Sequence, residues 1–114
     1  MNYSNLAIQE SIYKDKEYIY NGIKNLKISL LNFNNVTYND LKVYIIIKGI
    51  VKIIDIDTTL NYSLKNKNIK IDVLNIEPLS FENVVIKIQE IGFSKWEYKV
   101  IVLNKNKKIY ITRN

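Results

Sequence analysis

Alternation of apolar and polar residues with a period of two recurs along this chain, and it constrains the fold more than any other feature. It occurs in the segments 25–32, 41–48, 68–76, 83–91 and 96–104. This period places apolar side chains on one face of a β-strand. No window of 11 or more residues has the i, i+3, i+4 spacing of an amphipathic helix. The pattern therefore predicts a chain of half-buried strands.

The inward-facing positions of these segments predict the hydrophobic core. Ile46 lies on the otherwise polar side of its segment, which predicts a central strand that is covered on both faces. Turn-forming residues separate the segments, and eight or nine short strands with such spacing are typical of an all-β sandwich. The expected core residues are Leu26, Ile28, Leu30, Val43, Ile45, Ile47, Ile69, Ile71, Val73, Val84, Ile86, Ile88, Trp96, Tyr98, Val100 and Val102.

The first 20 residues have the least regular pattern of the chain. Leu6, Ile8 and Ile12 indicate a strand with a break, and Tyr18 and Tyr20 indicate a short continuation. With 114 residues, the whole chain 1–114 is expected to form a single domain. Within it, the segment 1–20 is interpreted as a peripheral strand that could exchange between molecules.

The residue types that are missing exclude several kinds of chemistry. The chain has no Cys and no His, so it has no disulfide, thiolate ligand or imidazole base. Asp55 and Asp57 could share a Ca²⁺ ion, but the neighbouring residues do not supply the six to eight oxygens that Ca²⁺ requires. We therefore expect no catalytic residues, no metal site and no cofactor.

Lysine supplies nearly all of the formal net charge of +6, and Arg113 is the single arginine. Because arginine is preferred for bidentate contacts to phosphates and bases, this composition argues against a nucleic-acid partner. The N-terminal residues lack a basic head followed by an apolar core, so no signal peptide is expected. The longest apolar run, 43–47, is too short to cross a membrane. The compartment stays open: the protein is cytoplasmic as written, or it is an excised piece of an exported surface protein.

Two longer stretches resemble a known family. They are "ISLLNFNNVTYNDLKVYI", residues 28–45, and "NIEPLSFENVVIKI", residues 75–88. Both resemble bacterial and archaeal immunoglobulin-like surface-protein modules of the cell-adhesion-related and conserved-repeat types. Leu79 stands where that family usually has Gly. The resemblance implies an immunoglobulin-like antiparallel β-sandwich of about seven to nine strands, which acts as a structural or adhesive module without catalytic residues.

The leading functional hypothesis is thus a non-catalytic module that binds a protein partner or a second copy of itself, through its strand edges or its end loops. The alternative is a carbohydrate-binding module that uses exposed aromatic rings. A basic nucleic-acid binder is a third, less favoured hypothesis. Trp96 and Tyr98 could instead fill the core. The candidate contact residues for a ligand or partner are Phe93, Trp96, Tyr38, Asn35 and Asn39.

Overall fold

The segments with a period of two form β-strands that run antiparallel to their neighbours. The computed structural model describes residues 6–16, 22–92 and 95–112. Within these residues the chain forms nine strands: β1 (Leu6–Lys14), β2 (Ile23–Asn32), β3 (Tyr38–Lys48), β4 (Val51–Asp57), β5 (Asn61–Lys65), β6 (Asn68–Ile76), β7 (Phe81–Glu90), β8 (Glu97–Asn104) and β9 (Lys107–Ile111).

The strands form two antiparallel sheets that pack into a β-sandwich. The four-stranded sheet has the order β1-β2-β7-β4, and the five-stranded sheet has the order β5-β6-β3-β8-β9. Their inner faces meet in the core, and their outer faces point away from it. The predicted all-β antiparallel sandwich is therefore confirmed. In the described part of the chain, no helix is long and apolar enough to cross a bilayer.

Alternation along the strands builds the core between the two sheets. Every aliphatic residue of the predicted core is buried, and Tyr38, Leu41, Val51 and Ile76 join them. Trp96 and the neighbouring tyrosine at position 98 are only partly buried and pack against the edge of this cluster. Because opposite faces of a strand alternate, the inward residues of both sheets interdigitate in one apolar layer.

Strand β3 is the middle strand of its sheet, as the sequence predicted, but it is not covered on both faces. Its inner residues are buried, whereas Lys42, Tyr44 and Ile46 on the outer face are each half-exposed. The prediction of a doubly covered strand was wrong. An apolar residue on the second face of a central strand needs only partial cover from its neighbours across the sheet.

The predictions were less accurate for two strands, β1 and β5. β1 is continuous and pairs with β2 from Leu6–Asn32 to Lys14–Lys24, without the predicted break. The proposed continuation at Tyr18 and Tyr20 lies outside the described residues. β5 was not predicted, although Tyr62 and Leu64 alternate with polar residues, because the run is only five residues long and follows directly on the preceding turn.

The alternation of β3 can be tested by placing the same charge on its two faces. Ile45 is fully buried, so Ile45→Asp buries an unpaired carboxylate and should cost more than about 4 kcal/mol of unfolding free energy. Ile46→Asp is the matched control on the outer face and should cost about 1 kcal/mol or less. Circular dichroism and urea denaturation measure both. A folded Ile45→Asp variant would contradict the strand register.

Candidate functional site

The candidate contact residues from the sequence lie at opposite ends of the sandwich. Tyr38 and Asn39 begin β3, and Asn35 lies in the loop that precedes it. Trp96 precedes β8, whose first residue pairs with the last residue of β3. The length of β3 separates these positions by roughly 33 Å. They therefore do not form one site, and Phe93 lies outside the described residues.

Trp96 is held in place by contacts that are typical of a structural residue. Its Nε1–H donates a hydrogen bond to Glu90 Oε2 at 2.8 Å, and the same carboxylate oxygen lies 3.2 Å from Lys24 Nζ. The ring packs against the core and lies 6.2 Å from the Tyr98 ring, centroid to centroid. A Cβ on Gly49 would lie 2.7 Å from the Trp96 Cβ, so only glycine fits beside it. The geometry favours the interpretation in which Trp96 completes the core.

The loop end of β3 holds only a small cleft. Tyr38 is 4% exposed, so its ring is not available for stacking, whereas Asn35 and Asn39 are exposed. The cleft between this loop and the β8–β9 turn has a volume of about 90 Å³ and is lined by Tyr38, Asn39, Asn104 and Lys105, among others. That volume holds about three water molecules. It is too small for a sugar ring to enter.

A buried asparagine organises the loops at this end. Asn32 is 1% exposed. Its Nδ2 lies 2.9 Å from the carbonyl oxygens of Val36 and Ile76 and 3.2 Å from that of Glu77. Its Oδ1 accepts a hydrogen bond from the Asn34 N–H at 2.8 Å. One side chain thus ties the β2–β3 loop to the β6–β7 loop, and it fixes how both loops present their side chains.

These two loops and the start of β7 expose several large apolar side chains. Phe33 and Phe81 are each 59% exposed, and Leu79 is 81% exposed. Leu31 pairs with Phe81 across β2 and β7, and the Asn32 N–H continues this ladder to the Ser80 carbonyl oxygen. Leu31 and Phe81 therefore share the outer face of the four-stranded sheet, and Phe33 and Leu79 lie in the loops directly beyond the two strands. We call Leu31, Phe33, Leu79 and Phe81 the Phe33–Phe81 patch.

The backbone of Leu79 has a left-handed conformation that belongs to a turn. Its φ angle is 56°, in the left-handed region that disfavours residues with a Cβ and suits Gly. Leu79 follows Pro78 in the turn between β6 and β7, and the second central residue of a type II turn requires a positive φ angle. The residue is also the most exposed large apolar side chain among those described, so the turn presents it to solvent.

Polar side chains continue the same face next to the patch. Ser29 Oγ donates a hydrogen bond to Asn83 Oδ1 at 2.7 Å, and these residues are opposite each other on β2 and β7. Gln9 lies opposite Ser29 on β1 and is exposed. A row of one hydroxyl and two amides thus crosses three strands beside the phenylalanines. Such a row offers both hydrogen-bond donors and acceptors.

The sheet edges hold a second group of polar contacts, around Glu10 on β1. Tyr110 donates its hydroxyl proton to Glu10, and Thr112 Oγ1 lies 3.3 Å from the same carboxylate. Burial, followed by the hydrogen bond to Glu10 and its negative charge, raises the pKa of Tyr98 to about 12. This group joins β1 to β8 and β9 and closes one side of the sandwich. It is a structural contact between the sheets.

The two aspartates that the sequence suggested as ligands of Ca²⁺ are on an outer strand face. Asp55 and Asp57 lie on the outer side of β4 and are exposed. Residues 6–16, 22–92 and 95–112 contain no group of three or more His, Cys, Asp or Glu residues that could hold a metal ion.

No protein-family model matches this chain, and no curated protein sequence matches it either. Solved structures do match. The chitin-binding domain of a hyperthermophilic chitinase from Pyrococcus furiosus is similar over 92% of both chains, with a TM-score of 0.61 and 8% sequence identity. A GH20 exo-β-N-acetylglucosaminidase from Vibrio harveyi, in complex with N-acetylglucosamine, is similar over 96% of this chain and 17% of its own, with a TM-score of 0.55 and 5% identity.

These similarities show a shared β-sandwich fold. They do not confirm the immunoglobulin-like adhesion type, which stays a prediction. The chitin-binding domain matches along nearly its whole length, whereas the chain spans only about a sixth of the glucosaminidase. The four-stranded and five-stranded sheets thus form an architecture that also occurs in these two proteins.

Sequence reasoning missed the Phe33–Phe81 patch. Phe33 stands inside an Asn-rich loop, and Phe81 follows the loop that contains Pro78. Nothing in the local pattern shows that these loops meet, since they are 48 residues apart along the chain. The one available signal was Leu79, which stands where the resembling family has Gly.

The contribution of Asn32 can be measured by truncation. Asn32→Ala leaves carbonyl oxygens of both loops without their partner, and it should lower the unfolding free energy by about 3 kcal/mol. Asn35→Ala, in the same loop but exposed, should change it by less than about 0.5 kcal/mol. Urea denaturation followed by circular dichroism compares the two variants. Equal effects would show that the Asn32 hydrogen bonds do not hold the loops.

The raised pKa of Tyr98 makes a prediction about alkaline pH. Between about pH 10 and pH 12, the unfolded chain loses the phenolic proton while the folded protein keeps it, so stability falls as pH rises through this window. Tyr98→Phe should flatten the fall in urea midpoint, and Tyr62→Phe, at an exposed edge position, should keep it. Superimposable curves for wild type and Tyr98→Phe would contradict the assignment.

Proposed function

We propose that this protein is a non-catalytic carbohydrate-binding module, and that the Phe33–Phe81 patch with its adjoining polar row forms the binding surface. The observation that supports this most directly is the exposure of Phe33 and Phe81 at the same end of the paired strands β2 and β7. Buried aromatic rings are explained by packing, whereas two rings with more than half of their surface exposed need a partner.

The chemistry of the surface matches that of a sugar polymer. One face of a pyranose ring presents C–H groups, which pack on the face of an aromatic ring. The edges of the sugar carry hydroxyl groups, which exchange hydrogen bonds with amide and hydroxyl side chains. Phe33 and Phe81 supply the first type of contact, and Gln9, Ser29 and Asn83 supply the second. Binding sites for small polar ligands combine these two elements.

The exposure of the surface favours a polymer over a single sugar. Phe33, Leu79 and Phe81 each expose more than half of their surface to solvent, so a ligand stacks on them from the solvent side. Contacts along several units of a chain then have to provide the affinity. The similarity in fold to a chitin-binding domain supports a polymer of N-acetylglucosamine as the first ligand to examine.

A protein partner is the second candidate function, and a different part of the molecule favours it. β5 is an edge strand of five exposed residues, which pairs in regular register with β6 and carries no β-bulge. Tyr62 and Leu64 on this strand are exposed. An edge strand without a bulge can accept a further strand by β-augmentation. This candidate does not use the phenylalanines, so the two functions are separable.

The carbohydrate proposal is tested by removing each ring. Phe33→Ala and Phe81→Ala should each weaken adsorption to insoluble chitin by about tenfold, since a stacked ring contributes roughly 1–2 kcal/mol. Tyr62→Ala removes an exposed ring of the other sheet and is the matched control, which should bind as the wild type does. Depletion assays on insoluble chitin and on cellulose measure the affinity, and thermal melts verify folding.

Two results would overturn the proposal. One is unchanged adsorption of both phenylalanine variants to every polymer that the wild type binds. The other is the absence of adsorption by the wild type to chitin, cellulose and soluble glycans, together with strand-peptide binding that Tyr62→Ala abolishes. That second outcome would assign the protein to the class of protein-binding modules.

A further inference from the structure

Positive charge is concentrated on the outer face of the five-stranded sheet. This face carries six lysines and three carboxylates, an excess of three positive charges in a chain whose net charge is +6. The outer face of the four-stranded sheet is nearly neutral by comparison. The strand register assigns to the charged face Lys42, Lys48, Lys65, Lys70, Lys99 and Lys108, with Asp72 and Glu97. Asp40, which is exposed on β3 beside Lys42, is the third carboxylate.

The six lysines of the charged face do not form ion pairs with other described residues. Among the described residues, the ion pairs are Lys24–Glu90 and Lys87–Asp15, and both lie on the other sheet or at its end. None of the six lysines on the charged face takes part. Edge protection explains Lys65 and Lys108, which lie on edge strands. It does not explain the lysines of the central strands, since those strands have neighbours on both sides.

The central strand β3 arranges these charges in a line. Lys42, Tyr44, Ile46 and Lys48 occupy successive outward positions of β3. Consecutive outward residues are about 6.8 Å apart, so the two lysines lie roughly 20 Å apart with the apolar pair between them. We call these four residues the β3 track.

Neighbouring strands add a cation on each side of the track. Lys70 on β6 is the Cα partner of Tyr44, and Lys99 on β8 is the partner of Ile46. A hollow of about 270 Å³ lies at one end, lined by Lys48, Glu97 and Lys99 among others. Another, of about 340 Å³, lies at the opposite end and is lined by Asp40, Lys42 and Lys105 among others. Asp72 faces Lys42 and Glu97 faces Lys48 across the sheet. The track is therefore an open path on which lysines outnumber carboxylates.

We propose that the β3 track binds an anionic polysaccharide, whose chain runs parallel to β3. Tyr44 and Ile46 pack against the apolar faces of its sugar rings, and the lysines attract carboxylate or sulfate groups along it. The inference rests on the proposed function for the class of polymer, and it adds a second surface on the sheet opposite the Phe33–Phe81 patch.

The shape and residue types of the track select this partner over other anions. A single-stranded nucleic acid would require successive aromatic rings on which bases stack, and the track has one. Lysine is a point charge that does not impose the bidentate geometry of arginine, so it accommodates charges at irregular positions along a glycan. A membrane surface would require protruding apolar side chains, whereas Tyr44 and Ile46 are half-exposed among long lysines.

Affinity electrophoresis with polygalacturonate tests the proposal. The wild type should be retarded in gels that contain this polymer, and fully methyl-esterified polygalacturonate, which has the same backbone without the charge, should retard it at least tenfold less. Added salt should weaken the retardation, as for other polyanions. Lys42→Gln/Lys48→Gln and, separately, Tyr44→Ala should each raise the dissociation constant about tenfold.

The control variant makes the same charge change elsewhere. Lys14→Gln/Lys52→Gln removes two exposed lysines of the other sheet and should be retarded as the wild type is. Equal loss in the control, equal retardation by the esterified polymer, or tighter binding of a thymidine oligonucleotide would overturn the proposal. Phe33→Ala should retain binding to polygalacturonate, so failure of the chitin test and failure of this one are distinguishable.

Discussion

The apolar layer between the two sheets is the constraint on which the rest of the structure depends. Its residues come from alternate positions of β2, β3, β6, β7 and β8, and most are fully buried. A shift of one residue in any of these strands would move its apolar side chains to solvent and its lysines into the core. The layer therefore fixes strand register as well as stability. Register in turn decides which side chains share each outer face.

Buried asparagine side chains connect the core to the loops and fix the loop conformations. Asn32 and Asn104 are among the few polar residues buried in the described structure. Asn32 binds carbonyl groups of two loops, and Asn104 Nδ2 donates to the Asn39 carbonyl oxygen at 2.7 Å. Buried polar groups are stable only when they are paired. By satisfying loop carbonyls, these asparagines hold the loops in one conformation, and a preordered surface loses less entropy when it binds a ligand.

The two outer faces differ in chemistry because their side chains do not pack in the core, so their residue types are not limited to apolar ones. The four-stranded sheet combines exposed rings with a row of amides and a hydroxyl, whereas the five-stranded sheet surrounds an apolar line with lysines. Neither arrangement contributes much to the stability of the fold. The exposed rings bury little apolar surface on folding, and like charges on one face repel each other. The two surfaces are thus the parts of the molecule to which we assign the two proposed binding functions, and they lie on opposite faces of the sandwich.

The sequence by itself determined the strands, the class of fold and nearly all of the aliphatic core, because a period of two is local information that each strand carries independently. Val43, Ile45 and Ile47 could be assigned to the core from eight residues of sequence. The same pattern did not reveal β5, since its alternation covers only the five residues from Asn61 to Lys65. It also placed Trp96 and Tyr38 among the candidate contacts. In the structure, Trp96 is hydrogen-bonded to Glu90 and Tyr38 is buried.

Only the tertiary structure decided which surfaces could act. Phe33 and Phe81 are brought together by the pairing of β2 with β7, and Lys42 and Lys48 are joined by Lys70 and Lys99 through the pairing of β3 with β6 and β8. These are contacts between residues far apart in the chain. Local alternation predicts the face on which a side chain lies, but strand order decides its neighbours, and strand order depends on how all nine strands bury their apolar faces at once.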